Sequence, residues 1–509
     1  MWRRHRSFPP LLARHLVFVP LLGTSWLTAL EPIRPDVGPL LLQARREWER
    51  GMQKGLEAGR IARANGDPIP LLDEQIAAYD AAEKHYLDAL KLVPDHPYAL
   101  VDYGRLLLSQ RRYRDARYRL DQALRSSEME RAFVPAERAD LMRMLGGVLE
   151  RAGQWPRAIE LYRQAMQTNP DDPCNRISLA VALCAWDDPT EAVGLLQPWS
   201  EPQKGLVALT PSLQALGVYT LGYALEEDGR PEEAVAAYRQ AQEWARQAEP
   251  VDCGSVSEQA EAALLRLQTV LDDLKREGAK EALARSASLC REGWQRRQTA
   301  LRDREAFLDA LRQLWDARSN EEKALVRMRE PLASLYGAIR CFDAAAQAFP
   351  RYARPYRELG LCYLALVEVR AALPQLEVSV VYDPHSPGGL AALGEAQLAA
   401  GQVEGALHTF DRFSRTEPEY GPASLGLARS ALRLLRSEDD LDLAQQALER
   451  AHALGAELST IEATRKNLAN LRERLRKGEK IGTPKPKSKA PRTTAPEGDD
   501  IWKGSVLDL

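Results

Sequence analysis

None of the six cysteines (Cys174, Cys184, Cys253, Cys290, Cys341 and Cys362) stands in a Cys-x-x-Cys pair. Zinc ribbons and thioredoxin-like redox sites are therefore unsupported. Two readings of the cysteines stay open, small buried hydrophobes on helices and a Cys341–Cys362 bridge, and the residue type favours the first. Histidine is scarce: the seven are His5, His15, His85, His96, His385, His408 and His452, and none forms a His-Glu-x-x-His arrangement. No Gly-Lys dipeptide occurs, which excludes a P-loop, and no Gly-x-Gly-x-x-Gly suggests a dinucleotide site. The stretch GPASLG from Gly421 has the wrong spacing for a nucleophile elbow and opens a helix with no strand before it. A net charge of −3 gives no global basic signal for nucleic acid. Long apolar runs are missing too, apart from Leu16–Leu30, which is too short for a confident membrane span.

What is present is a period. Pro350, Pro384 and Pro418 lie 34 residues apart, and Ala338, Ala372 and Ala406 keep the same interval, as do Phe342, Leu376 and Phe410. A fixed repeat of this length marks a stacked array. Proline cannot continue a helix interior, so each proline marks an end. Gly360 and Gly394 fall mid-helix, where glycine costs about 1 kcal/mol against alanine. Close approach of a neighbouring helix backbone is the expected compensation. The alanines are expected to permit a tight crossing within each unit, and the larger residues at 342, 376 and 410 to fill the gap to the next. Gly153, Gly229 and Gly401 fall where a first helix must stop and turn.

Residues 354–384 resemble a tetratricopeptide repeat, and 386–418 repeat the pattern in the same register. The second half of a copy precedes them at 332–350. Leu145, Gly146, Gly153, Ala158, Tyr162, Ala165 and Pro170 carry the signature earlier, as do Leu221, Gly222, Gly229, Ala234, Tyr238 and Ala241. Weaker copies surround Gly104 and Ala116, Ala180 and Ala192, and Ala444, and a half-copy ends at Pro94. The resemblance implies an all-α fold, a right-handed superhelical solenoid of helix-turn-helix units. Each unit is too small to hide its own apolar face, and stacking makes one continuous core.

The resemblance also implies where a partner binds, because one side of each first helix lines a concave face. Mapped onto this chain, that face holds Tyr98, Val101 and Arg105, then Arg143 and Glu150, then Tyr219, Tyr223 and Glu226. Further on it holds Lys323, Arg327, Arg354, Arg357, Leu361 and Arg429. Tyrosine and arginine are enriched at interaction hot spots, and the second cluster is cationic, suited to an acidic or carboxyl-terminal peptide. The carboxylate clamp of chaperone-binding members is not implied, since Glu358 and Ala392 stand where its asparagines belong.

Around the repeats the chain divides as follows: a signal peptide or anchor at 1–30, an amphipathic helix at 31–62, a first array at 63–250, an irregular helical insert at 251–318, a second array at 319–458, a capping helix at 459–476, and a disordered basic, proline-rich tail at 477–509. The insert reads either as longer or degenerate hairpins within the array or as a coiled arm or hinge. Ser255-x-x-Glu258 looks like a capping box that starts a helix there, and Gly278 ends or kinks it. The tail closes on Ile501, Trp502, Val506, Leu507 and Leu509, which either dock on the array or serve as a peptide held out for a partner. The charged, then apolar, amino terminus favours an exported, periplasmic or envelope-associated protein over a cytoplasmic one. It and the basic tail allow weak membrane association.

Nothing of catalytic-domain size remains once the array is assigned. The chain therefore reads as a non-catalytic protein–protein interaction scaffold with no cofactor, no metal and no nucleic acid, whose partner is an extended or helical, acidic segment of another protein. The alternative is an accessory subunit of an enzyme carried on another chain.

Overall fold

A computed structural model describes residues 37–64, 67–126, 129–186, 188–199, 209–248, 250–302, 321–435 and 437–477. The leader at 1–30 and the terminal apolar motif lie outside the described residues. Among the described residues the regular elements are helices throughout. They fall into two compact units, the first ending at Asn175 and the second starting at Arg176.

The first unit contains α1 (Gly38–Arg63), α2 (Ile69–Leu92), α3 (Pro97–Ser109), α4 (Tyr113–Arg125), the short α5 (Met129–Ala132), α6 (Pro135–Arg151) and α7 (Trp155–Thr168), and α8 (Pro173–Ala185) begins at its end. The second contains α9 (Pro189–Leu196), α10 (Pro211–Glu227), α11 (Pro231–Gln247), α12 (Pro250–Asp273), α13 (Ala279–Ala300), α14 (Glu321–Ala348), α15 (Ala353–Ala365), α16 (Val369–Tyr382), α17 (Pro387–Ala399), α18 (Val403–Thr416), α19 (Gly421–Leu434), α20 (Glu438–Ala453) and α21 (Leu458–Arg476). Hairpins form from α1 and α2, α3 and α4, α6 and α7, α10 and α11, α13 and α14, α15 and α16, and α17 and α18.

The landmarks of the repeat do physical work in the structure. Ala116, Ala158, Ala192, Ala234, Ala338, Ala372, Ala406 and Ala444 are all fully buried. Helices α14, α16 and α18 end two residues before Pro350, Pro384 and Pro418. Gly153, Gly229 and Gly401 adopt left-handed φ of 77°, 77° and 75° in the turn between paired helices, where a Cβ is disfavoured. The mid-helix glycines have a different reason from the expected one. A Cβ on Gly146 would fall 2.6 Å from the Tyr162 ring, one on Gly222 2.8 Å from Tyr238, and one on Gly394 2.7 Å from Phe410. Each glycine thus makes room for a large side chain on its own hairpin's second helix, not for a neighbouring backbone.

The same contact redraws the region read as an insert. Gly293 on α13 receives the ring of Phe342 on α14, with a Cβ position 2.8 Å from it. Helix α13 is therefore the first half of the unit whose second half was legible at 332–350. Helices α13 and α14 pair as a hairpin. Helix α12 starts at Pro250, so Ser255 lies inside it and does not cap it. Proline at the first position opens the helix, because its missing N–H would have had no partner there. Gly278 takes φ +75° in the turn before α13. Cys174, Cys184, Cys290, Cys341 and Cys362 are free thiols.

Candidate functional site

In the first unit the face expected to meet a partner is a ladder of alternating charge. Arg45 on α1 donates to Asp102 on α3 at 2.6 Å. Arg105, one turn on, lies 3.5 Å from Asp102 and donates to Asp140 on α6 at 2.8 Å. Arg143 donates to the other oxygen of Asp140. Burial would raise the Asp140 carboxyl, but Arg143 and Arg105 outweigh it and hold it below the usual carboxylate range. The structure thus brings Arg105 and Arg143 together, and both side chains keep about a fifth of their surface exposed, at 19% and 20%. Tyr98 and Val101 are buried. The Tyr98 hydroxyl donates to the Ala132 carbonyl, and its ring meets Phe133 edge-on at 4.7 Å. Glu150 is buried and accepts from the Tyr162 hydroxyl at 2.9 Å. Burial pushes its carboxyl up to about 7, against the pull of Arg151 and that hydrogen bond.

The second unit overturns the expectation for its arginine pair. Arg354 and Arg357 are the largest fully buried side chains of the described chain, each about 2% exposed. Both converge on the last residue of α10. Arg354 donates to the Glu227 carbonyl at 3.0 Å, and Arg357 donates to the Glu227 carboxylate at 2.7 Å. The Tyr352 hydroxyl also donates to that carbonyl. A helix ends with carbonyls that lack intrahelical partners and carry partial negative charge, so cations and hydroxyl donors are drawn there. Two side chains expected to await a partner are instead held by the chain's own helix end.

Neighbouring groups extend the network. Arg266 on α12 grips Glu226 with two hydrogen bonds, at 2.9 and 2.8 Å, and lies 3.2 Å from Asp383. Arg297 on α13 lies 3.0 Å from Glu358. Glu226 also accepts from the Tyr238 hydroxyl at 2.9 Å. Burial raises its carboxyl, while Arg266 opposes the rise. Tyr219 is buried with its ring 5.2 Å from that of Tyr238, Tyr223 is half-buried, and Leu361 is buried. Arg429 bonds Glu395 one repeat earlier, at 2.8 and 3.1 Å. The side chains of Lys323 and Arg327 lie outside the described residues.

Glu227, Arg266, Arg297 and Asp383 were missed in the sequence. Arg266 stands between Leu265 and Leu267 on α12, and Glu227 meets Arg357 across 130 residues. No local spacing announces either pairing. One signal was available at shorter range: Arg429 with Glu395 stands 34 residues apart, the repeat period itself, and Arg105 with Asp140 stands 35 apart, one residue more.

Family profiles described as "Tetratricopeptide repeat" match residues 77–128, 104–173 and 391–455, then 149–209, then 217–247. The chain is a tetratricopeptide-repeat protein. No curated protein matches it. Among solved structures it is similar to MamA, at 18% identity over 34% of this chain and 91% of that one, with a TM-score of 0.28. It is similar to YrrB, described as a TPR protein with an unusual peptide-binding site, at 20% identity over 36% of this chain and 85% of that one, with a TM-score of 0.29. A third likeness is to the TPR2AB domain of yeast Sti1 in a pHSP90 complex, at 17% identity over 61% of this chain and 98% of that one, with a TM-score of 0.22. The assignment of this tetratricopeptide-repeat protein rests on the family profiles and its own repeated packing. No helix among the described residues is long and apolar enough to cross a membrane.

Proposed function

We propose that this protein is a non-catalytic scaffold that captures a segment of another protein on the first helices of its amino-terminal repeats. The observation that carries the reading is the Arg45–Asp102–Arg105–Asp140–Arg143 ladder, whose arginine side chains each keep about a fifth of their surface exposed on consecutive repeats. A partner carboxylate can add to an arginine already held in place, because a guanidinium offers five donors in a fixed fork. The charged-then-apolar leader supports action at the envelope or beyond. The arginine pair at 354 and 357 supports no partner contact, because Glu227 already occupies it.

The test is affinity capture with crosslinking and mass spectrometry from native cells, comparing the natural chain with the R105Q/R143Q variant. The expected result is one dominant protein partner crosslinked to α3 and α6, depleted in the variant while helicity is retained. Equal capture by both chains would overturn the reading.

A further inference from the structure

The second helices of the amino-terminal hairpins carry an unbalanced charge that the ladder does not use. From Arg111 to Arg125 the chain places six arginines (111, 112, 114, 117, 119 and 125) against Asp115 and Asp121, although the protein as a whole is net negative at −3. Some of these are satisfied within the fold. Arg112 pairs with Glu83 at 2.7 Å and with Asp115 at 2.9 Å. Arg119 lies over the rings of Tyr103 and Tyr118, 5.2 and 5.3 Å from their centroids.

Two guanidinium groups, from two helices, meet at one carboxylate. Asp121 takes Arg125 of its own helix at 2.7 Å and Arg157 of α7 at 3.3 Å. Arg117 lies on the same helix, four residues before Asp121. Its pKa is lowered, first by burial and then by Arg157, with Asp121 the opposing influence. Two guanidinium groups thus lean on a single acid. On the same stretch of α7, Glu160 accepts from Gln164 at 2.8 Å. Between Arg114 and Arg125 stands Tyr118, 66% exposed, one ring face covered by Arg119.

We propose that this ridge, formed by α4 with the start of α7, docks a short acidic segment of a partner protein that carries an aromatic or large apolar residue. Carboxylates of that segment complete the arginines gathered at Asp121, and its apolar side chain lies on Tyr118. A protein segment fits better than a polynucleotide. The ridge follows one helix of 13 residues, about 20 Å long, and Asp115 and Asp121 interrupt it. Polynucleotide binding draws on a longer continuous basic track. The surface differs from the ladder, which lies on first helices, so the two can fail separately.

The experiment is fluorescence anisotropy on the full chain with a short labelled glutamate-rich peptide bearing one tryptophan. R117E and R114E, the latter at an exposed position, are each expected to weaken binding by about tenfold, as when a steering charge becomes repulsive. R415E, an equally drastic change at an arginine side chain 70% exposed on α18, is expected to leave binding unchanged. Y118A should weaken the tryptophan peptide and spare one lacking it. Should R117E lose its far-UV helicity, R114E decides. No peptide binding, or equal loss in R415E, overturns the proposal. So does an oligouridylate that binds more tightly than the peptide and competes with it.

Discussion

In the first unit Tyr162 donates its hydroxyl to Glu150, and in the second Tyr238 donates to Glu226; both bonds are 2.9 Å and both partners stand 12 residues apart. The repeat has placed the same buried pair twice. The surroundings then part company. Arg266 grips Glu226 with two hydrogen bonds. At Glu150 the opposing charge is Arg151, and burial still pushes the carboxyl up to about 7. The periodic positions decide where a polar group lies, and contacts from outside the period decide whether its charge is compensated. The arginines follow the same rule. In the first unit Arg45 and Arg105 are held by the next repeat and Arg143 by its own helix, and all three stay partly exposed, whereas Arg354 and Arg357 are sealed against the end of α10.

The sharpest way to break this comparison is to remove one arginine from each face. Arg357→Ala leaves Glu227 buried without its cation, and loss of about 3–5 kcal/mol is expected. Arg143→Ala leaves Asp140 with Arg105 and should cost roughly 1–2 kcal/mol. Equilibrium urea unfolding measures both, and equal losses would erase the distinction between the faces.

A second contrast is pH-dependent. Unfolded Glu150 loses its proton near 4.5, while the folded group holds it up to about 7. The native state therefore binds more protons in that window, and Glu150's contribution to stability falls as pH rises through it. Glu150→Gln removes this penalty. It should stabilise the protein by up to about 3 kcal/mol at about pH 8 and by little below the unfolded value. Glu226→Gln should destabilise at neutral pH instead, since it strips Arg266 of a carboxylate. Thermal unfolding across pH separates the two; parallel profiles would show that Arg266 makes no difference.

Smaller effects sharpen the shared framework. Gly394→Ala sets a methyl 2.7 Å from the Phe410 ring and should cost about 1–3 kcal/mol. Adding Phe410→Leu should recover part of it, and a purely additive double variant would contradict the paired packing. At the left-handed turn position Val367 holds φ 61° where Gly153 and Gly229 hold 77°. A β-branched residue is strained there, so Val367→Gly should gain about 1 kcal/mol in chemical unfolding.

Much of the architecture was legible in the sequence because it rests on landmarks that recur at one interval. Ala338, Ala372 and Ala406 needed only their spacing to be read as buried. Gly153, Gly229 and Gly401 needed only their residue type to be read as turns. The unit built from α13 and α14 was half hidden, because a longer connection separates Gly293 from Phe342 and breaks the period between them. The candidate face was legible as a set of first-helix positions but not as chemistry. Burial of Arg354 and Arg357 depends on Glu227, and that of Glu226 on Arg266, and these partners come from other repeats at distances the period does not set.

Arginine-selective dicarbonyl labelling of the native protein, read out by peptide mapping, addresses the central claim most directly. Arg354 and Arg357 should stay unmodified until the protein unfolds, while exposed Arg114 and Arg415 react at once and Arg105 and Arg143 react at intermediate rates. Labelling of Arg354 and Arg357 as fast as Arg415 would mean that Glu227 does not hold them, and the distinction between a sealed and an accessible face would be wrong.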